Sequence, residues 1–159
     1  MPSWRLIIKF FGIFIIFAII IAYLSAITYK SKVIVNGKVF EVQVADTNYL
    51  LEKGLSGHVP LSDNQGMFFV FNKPDKYGFW MKDMKFSIDI IWIDSNFQII
   101  HIEKSVKPDT YPKVFYPSSS AQYVLEILAG QSDKVNLKIG DSVKFVKKEG
   151  QRVFNLGLS

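Results

Sequence analysis

The chain has 159 residues, of which 49% are hydrophobic and 15% aromatic, with a formal net charge of +5. That length holds one domain of ordinary size plus an appendage, and a domain of about 115 residues buries enough surface to fold without staples. The absence of cysteine excludes disulfides, thiolate metal sites and a cysteine nucleophile, and the lysines are scattered, so the basic excess reads as a solvated surface and no nucleic-acid partner is expected. The two histidines, His58 and His101, show no metal-ligand spacing.

Residues 1–9 form a basic flank carrying Arg5 and Lys9. Phe10 to Tyr29 then runs without a charge and is rich in Phe, Ile, Leu and Ala. At about 1.5 Å per residue such a helix matches the roughly 30 Å core of a bilayer. Trp4 before it and Tyr23 and Tyr29 at its end fit interfacial aromatics. The best signal-cleavage position, after Ala26, has Leu24 where a small residue is wanted. Residues 10–29 are therefore expected to be an uncleaved transmembrane signal anchor, with secretion after cleavage as the alternative. The expected location is the cell membrane, single-pass, with the soluble part outside the cytoplasm.

Residues 30–38 are read as a juxtamembrane segment with the first hairpin strand. Asn36-Gly37 between Val33-Ile34-Val35 and Val39 to Ala45 is a strong hairpin signal. Alternation from Val39 to Val44 puts Phe40, Val42 and Val44 on a buried face. Asp46 or Thr47 caps a short helix to about Leu55. Strands are expected at Gly66 to Phe71, Phe79 to Phe86, Ile88 to Ile93, Phe97 to Glu103, Gln122 to Leu128 and Ser142 to Val146. Polar loops are expected at Asn72 to Gly78 and, with its prolines and serine run, Lys104 to Ser120. Ser132 or Asp133 opens a helical turn. Residues 39–147 thus read as one mainly β domain (α+β), a small barrel or sandwich with one or two short helices, and residues 148–159 as a tail.

Chemistry concentrates in Gly66 to Asp94, where Lys82, Asp83, Lys85 and Asp89 interrupt an aromatic, apolar run. Charge there must be paired or open to a groove, because unpaired burial costs several kcal/mol. Glu126 poses the same question inside Val124-Leu125-Glu126-Ile127-Leu128. Asp89 and Glu126 are candidates for a general acid and base pair; the plainer reading of each is a carboxylate that pins a loop by accepting backbone N–H bonds. Trp80 and Trp92 are candidates for a stacking platform, or else core residues. His58 and His101 read as surface residues, and Ser118 to Ser120 as loop. No phosphate loop, dinucleotide fingerprint or metal motif is present, so no cofactor is expected.

The order of Glu52 to Leu55, Gly66-Met67-Phe68-Phe69-Val70-Phe71, Phe79-Trp80-Met81-Lys82, Ile88-Asp89-Ile90, Tyr123-Val124-Leu125-Glu126, Gly130 and Ile139-Gly140-Asp141 resembles the domain of unknown function 192 family. The resemblance covers roughly Val39 to Val146. Asp83-Met84 stands where that family usually has Asn-Thr, and Ser87 where it usually has proline. The resemblance implies a compact, mainly β fold and no established activity. The expected role is a membrane-tethered binding module for a cell-envelope glycan or peptide, its groove lined by Trp80, Lys82, Asp83, Asp89 and Glu126. An envelope-polymer hydrolase using the paired carboxylates, or an assembly subunit without a ligand, are the alternatives.

Overall fold

A computed structural model describes residues 31–148. The expected anchor at Phe10 to Tyr29 and the tail from residue 149 lie outside the described residues. No helix among the described residues is long and apolar enough to cross a membrane.

The chain begins its fold with the hairpin that Asn-Gly announces. Strands β1 (Ser31–Val35) and β2 (Lys38–Ala45) are antiparallel, with Val35 opposite Lys38. Asn36 and Gly37 take φ values of 48° and 76°, the left-handed pair that a two-residue hairpin turn needs. β1 also pairs with the last strand, so the sheet already includes Ser31 and does not start at Val39. Phe40, Val42 and Val44 are buried, as their alternation requires. Helix α1 (Asn48–Lys53) follows, its first turn closed by Thr47, whose hydroxyl accepts from the Leu50 N–H at 3.3 Å. It connects β2 to β3 (Gln65–Asp75), and these two strands run parallel.

Then come β4 (Phe79–Trp80), β5 (Ile88–Ile93), β6 (Ile99–Val106), a 3₁₀ turn at Pro108–Thr110, β7 (Val114–Phe115), β8 (Ala121–Leu128), helix α2 (Gln131–Lys134) and β9 (Val143–Val146). Seven strands form one sheet in the order β6-β5-β8-β3-β2-β1-β9, and β4 pairs with β7 in a separate ribbon. The two edges of the large sheet meet at an antiparallel bridge between Gln98 and Ser142. There the Ile99 N–H donates to the Asp141 carbonyl and the Val143 N–H to the Phe97 carbonyl. The sheet is thereby curled into a half-barrel, which leaves no long free edge at that end.

Alternation along the central strands builds two cores. Phe68, Ile91, Tyr123, Leu125 and Ile127 join Val33, Phe40 and Val143 in a cluster fed by strands from across the sheet, which fills the inside of the curl. Their neighbours Met67, Phe69, Ile90, Trp92 and Val124 form a second cluster on the outer face. That face is roofed by Leu55, Phe79, Met81, Phe86 and Phe115 from the connecting segments. All six residues of β5 are buried, because both of its faces are covered.

Three expectations are corrected. The strand expected over Phe79 to Phe86 stops at Trp80. Met81 is driven into the outer core at 1% exposure while Lys82 and Asp83 keep their charges in water, so the chain must turn there. Asp83 takes φ 56°, and the Lys82 and Asp83 carbonyls accept from Ser56 Oγ and the Gly57 N–H. The loop expected from Asn72 is strand as far as Asp75, past an irregularity in its pairing with β8 after Val70. The long Lys104 to Ser120 loop is likewise shortened by β6, the 3₁₀ turn and β7.

Candidate functional site

Asp89 and Glu126 leave the sheet on opposite sides. In the antiparallel pairing of β5 with β8, Asp89 stands opposite Ile127 and Ile90 opposite Glu126. Directly opposed residues share a face and successive residues alternate. Asp89 therefore shares the face of the inner core with Ile127, and Glu126 the outer face with Ile90. The two carboxyls do not share a cleft, and the general acid and base pair expected from the sequence is not assembled.

Asp89 is fully buried, and both of its oxygens have partners. The Ser105 N–H donates to Oδ1 at 2.8 Å and the Ser132 N–H to Oδ2 at 2.9 Å. Ser105 lies where β6 slips register, with Ile88 opposite Val106 but Ile90 opposite Glu103, and it has φ 52°. Ser132 lies in the first turn of α2. The carboxylate thus ties a bulge in the edge strand to the helix that follows β8. Lys82 forms no ion pair with it; that side chain is exposed on the far side of the roof.

Glu126 is placed differently. It is 5% exposed, and its Oε2 has no hydrogen-bond partner. Burial alone raises its carboxyl from the ordinary 4.5 to about 8. It lines a pocket of about 210 Å³ whose walls include Phe69, Phe71, Tyr77, Phe79, Trp80 and Gly54. The end of α1 forms one side: a methyl group at Gly54 would lie 3.9 Å from Glu126 Oε2 and 3.3 Å from the Phe69 ring. The opposite side is held by the core. Trp92 is fully buried, and its indole N–H donates to the Tyr77 carbonyl at 3.0 Å. Tyr77 in turn stacks on Phe71 with ring centroids 3.5 Å apart.

Outside the pocket lies a shallower groove of about 350 Å³ containing Tyr49, Lys82 and Asp83. Glu52, Lys53, Ser56 and Trp80 line both, so the two recesses are contiguous. Trp80 stands between them, 47% exposed. The structure therefore brings Trp80, Lys82, Asp83 and Glu126 to one recess and places Asp89 elsewhere. Trp80 and Trp92 form no platform together, since Trp92 is core. His101 is half-buried, edge-on to Trp92 at 5.3 Å and 3.6 Å from Glu103. Gly54, Phe69, Phe71 and Tyr77 were not singled out from the sequence. Their signal, aromatics at odd positions of β3 and a glycine closing the helix, is also what an ordinary core gives.

The fold and the recess define a small curled β domain with a one-sided aromatic pocket over a buried carboxyl. The chain belongs to the DUF192 family, described as an uncharacterised ACR, which matches residues 31–145. It is 30% identical over 69 residues to the UPF0127 protein PH1112 of Pyrococcus horikoshii, a stretch covering 43% of this chain and 54% of that relative. The match thus spans about half of the relative's length. Among solved structures, a protein of unknown function from Novosphingobium aromaticivorans is 29% identical with a TM-score of 0.67, over 72% of this chain and 82% of the other. A transcription regulator candidate from Sinorhizobium meliloti has the same fold at 24% identity and a TM-score of 0.66, over 72% of this chain and 91% of the other.

Asp89→Asn leaves one acceptor for two buried N–H donors, and its amide group faces one of them. It should lower unfolding free energy by about 2–3 kcal/mol in chemical denaturation. A change within a few tenths of a kcal/mol would mean that Asp89 is not a pin. Glu126 gives a prediction of a different kind. Its folded carboxyl holds a proton that the unfolded chain releases between pH 4.5 and about 8. Stability should therefore fall as pH rises through that window, by a few kcal/mol in total, and level off above it. Glu126→Gln should remove this slope and be the more stable protein at pH 8.5, as measured by denaturation at a series of pH values.

Proposed function

We propose that this chain is a membrane-tethered binding module that takes a segment of a cell-envelope polymer, glycan or peptide, into the recess between α1 and the roof of the outer core. The observation that carries this reading is Glu126, a carboxyl that lines an aromatic-walled pocket and whose buried Oε2 has no partner. Buried polar atoms nearly always have partners, so one without a partner calls for a cause, and at the wall of a pocket a ligand's donor supplies one. The pocket is smaller than the roughly 300 Å³ at which small-molecule sites begin, so it suits one projecting group rather than a whole ligand. The contiguous groove past Trp80, Lys82 and Asp83 then has room for the polymer on either side of that group.

A hydrolase working through Asp89 and Glu126 finds no support, because glycosidase-type carboxyls must flank one bond within about 10 Å. Internal bracing describes Asp89 alone. Tethering is supported by the uncharged run Phe10 to Tyr29 and the basic residues before it.

A thermal-shift screen of the full chain against envelope glycan and peptide fragments tests the binding reading. A ligand at about 100 times its Kd should add about 2.7 kcal/mol of stability. Trp80→Ala should abolish that gain without altering the unliganded melting temperature, since the side chain is half exposed. A hit unaffected by Trp80→Ala places binding elsewhere and overturns the assignment to this recess. For the tether, cell fractionation should find the full chain in membranes and released only by detergent, whereas a chain beginning after Tyr29 should be soluble; recovery of the full chain in the soluble fraction would contradict it.

A further inference from the structure

We infer that the pocket over Glu126 selects a primary ammonium on an apolar stem, the chemistry of a lysine side chain in a peptide. The inference rests on the recess being the binding site and adds the identity of the group that fills its deep end.

The donor set argues for this choice. The floor offers one carboxyl group, the walls around it are Phe69, Phe71, Phe79, Trp80 and Leu51, and the polar Glu52, Lys53 and Ser56 belong to the side shared with the groove. A carboxylate or phosphate entering there would meet a carboxyl and no cation: Lys53 sits at the rim, exposed, with its ammonium 5.6 Å from the Tyr49 ring. A sugar ring carries several hydroxyls, and each would need a partner that aromatic walls do not supply. A stem of methylene groups ending in –NH₃⁺ matches what is present. Its apolar length packs on the rings, its charge benefits from nearby aromatic π systems, and its donors meet the carboxyl group at the pocket floor. The titratable groups around the pocket are few. α1 contributes Glu52 and Lys53, the segment before β4 contributes Tyr77, and the lining residues of β3, Phe69 and Phe71, do not titrate. Tyr77 is held neutral, its phenol raised by burial and secondarily by Asp75. No ion pair reaches Glu126 among the described residues, and burial is the sole cause acting on it.

Binding then moves a proton. The free protein holds Glu126 as –COOH at neutral pH, and the ligand arrives as –NH₃⁺. The complex is the pair –COO⁻ and –NH₃⁺, and the displaced carboxyl proton leaves for solvent. No covalent bond other than that O–H is broken. Affinity should rise about tenfold per pH unit as pH approaches about 8, then level.

The test is calorimetric titration of the full chain with the peptide acetyl-Gly-Gly-Lys-Gly-Gly-amide, at pH 6, 7, 8 and 9 and in two buffers of different ionisation enthalpy. Norleucine and Nε-acetyl-lysine versions of the peptide, and an N-acetylglucosamine trimer, are the comparators. The lysine peptide should bind at least about tenfold more tightly than any comparator and release close to one proton at pH 7. Glu126→Gln, of the same shape, should erase the lysine preference and the proton release, with its fold checked by the same amide spectrum as the parent. Equal or tighter binding of the norleucine peptide or of the N-acetylglucosamine trimer overturns the ammonium inference while the recess remains a binding site. Absence of binding by the lysine peptide also overturns it; if Trp80-dependent hits are absent from the fragment screen as well, the binding reading falls with it.

Discussion

The register of β5 against β8 is the constraint on which the rest of the site depends. With Asp89 opposite Ile127 and Ile90 opposite Glu126, two carboxyl groups one position apart in the ladder are sent to different sides of the sheet. A slip of one residue would bring both carboxyls to the same face and turn the apolar residues of β5 to the wrong core. The register is fixed because both faces of β5 are filled, by Ile91 and Ile93 inside and by Ile88, Ile90 and Trp92 outside. From this follow two separate fates. One carboxylate meets two backbone N–H groups and becomes a brace, and the other meets aromatic rings and remains without a partner on one oxygen.

The outer core is what turns the second carboxyl into a candidate site. A buried carboxyl without a cation is unfavourable as an ion, so it holds its proton, and the fold gives up stability at neutral pH to keep it. Cores ordinarily place Leu or Met at such positions. The surroundings keep the pocket open. Trp92 holds the Tyr77 carbonyl, Tyr77 stacks on Phe71, and residue 54 has no side chain, where a methyl group would press to 3.3 Å from the Phe69 ring and 3.9 Å from Glu126 Oε2. Incomplete bonding of this kind calls for a cause, and a functional site is one.

Much of the fold was legible in the sequence, for local reasons. Asn36-Gly37 specified its hairpin, Phe40, Val42 and Val44 specified a buried face, and Asp46-Thr47 specified a helix start; each depends on neighbours in sequence. Glu126 was marked as unusual by its charge in an apolar run, and the pin reading of Asp89 as an acceptor of backbone N–H bonds matches its contacts. What escaped were relations between distant segments. The opposite facing of Asp89 and Glu126 depends on strand pairing, which one strand's alternation does not contain. The turn at Lys82-Asp83 overrides a strand-like pattern because Met81 has a core to enter and Ser56 and Gly57 donate to the turn's carbonyls. Trp92 looked the equal of Trp80 as a candidate platform, and only packing separates the buried one from the exposed one.

The central claim is that Glu126 is a buried, uncompensated acid at the floor of an open pocket. A carboxyl-carbon NMR titration of the full chain with ¹³C-labelled glutamate, assigned by comparison with Glu126→Gln, measures this directly. One glutamate resonance, lost in the variant, should titrate near pH 8 and move toward the ordinary range when a cationic ligand is bound. A Glu126 resonance that titrates near 4.5 in the free protein would contradict it.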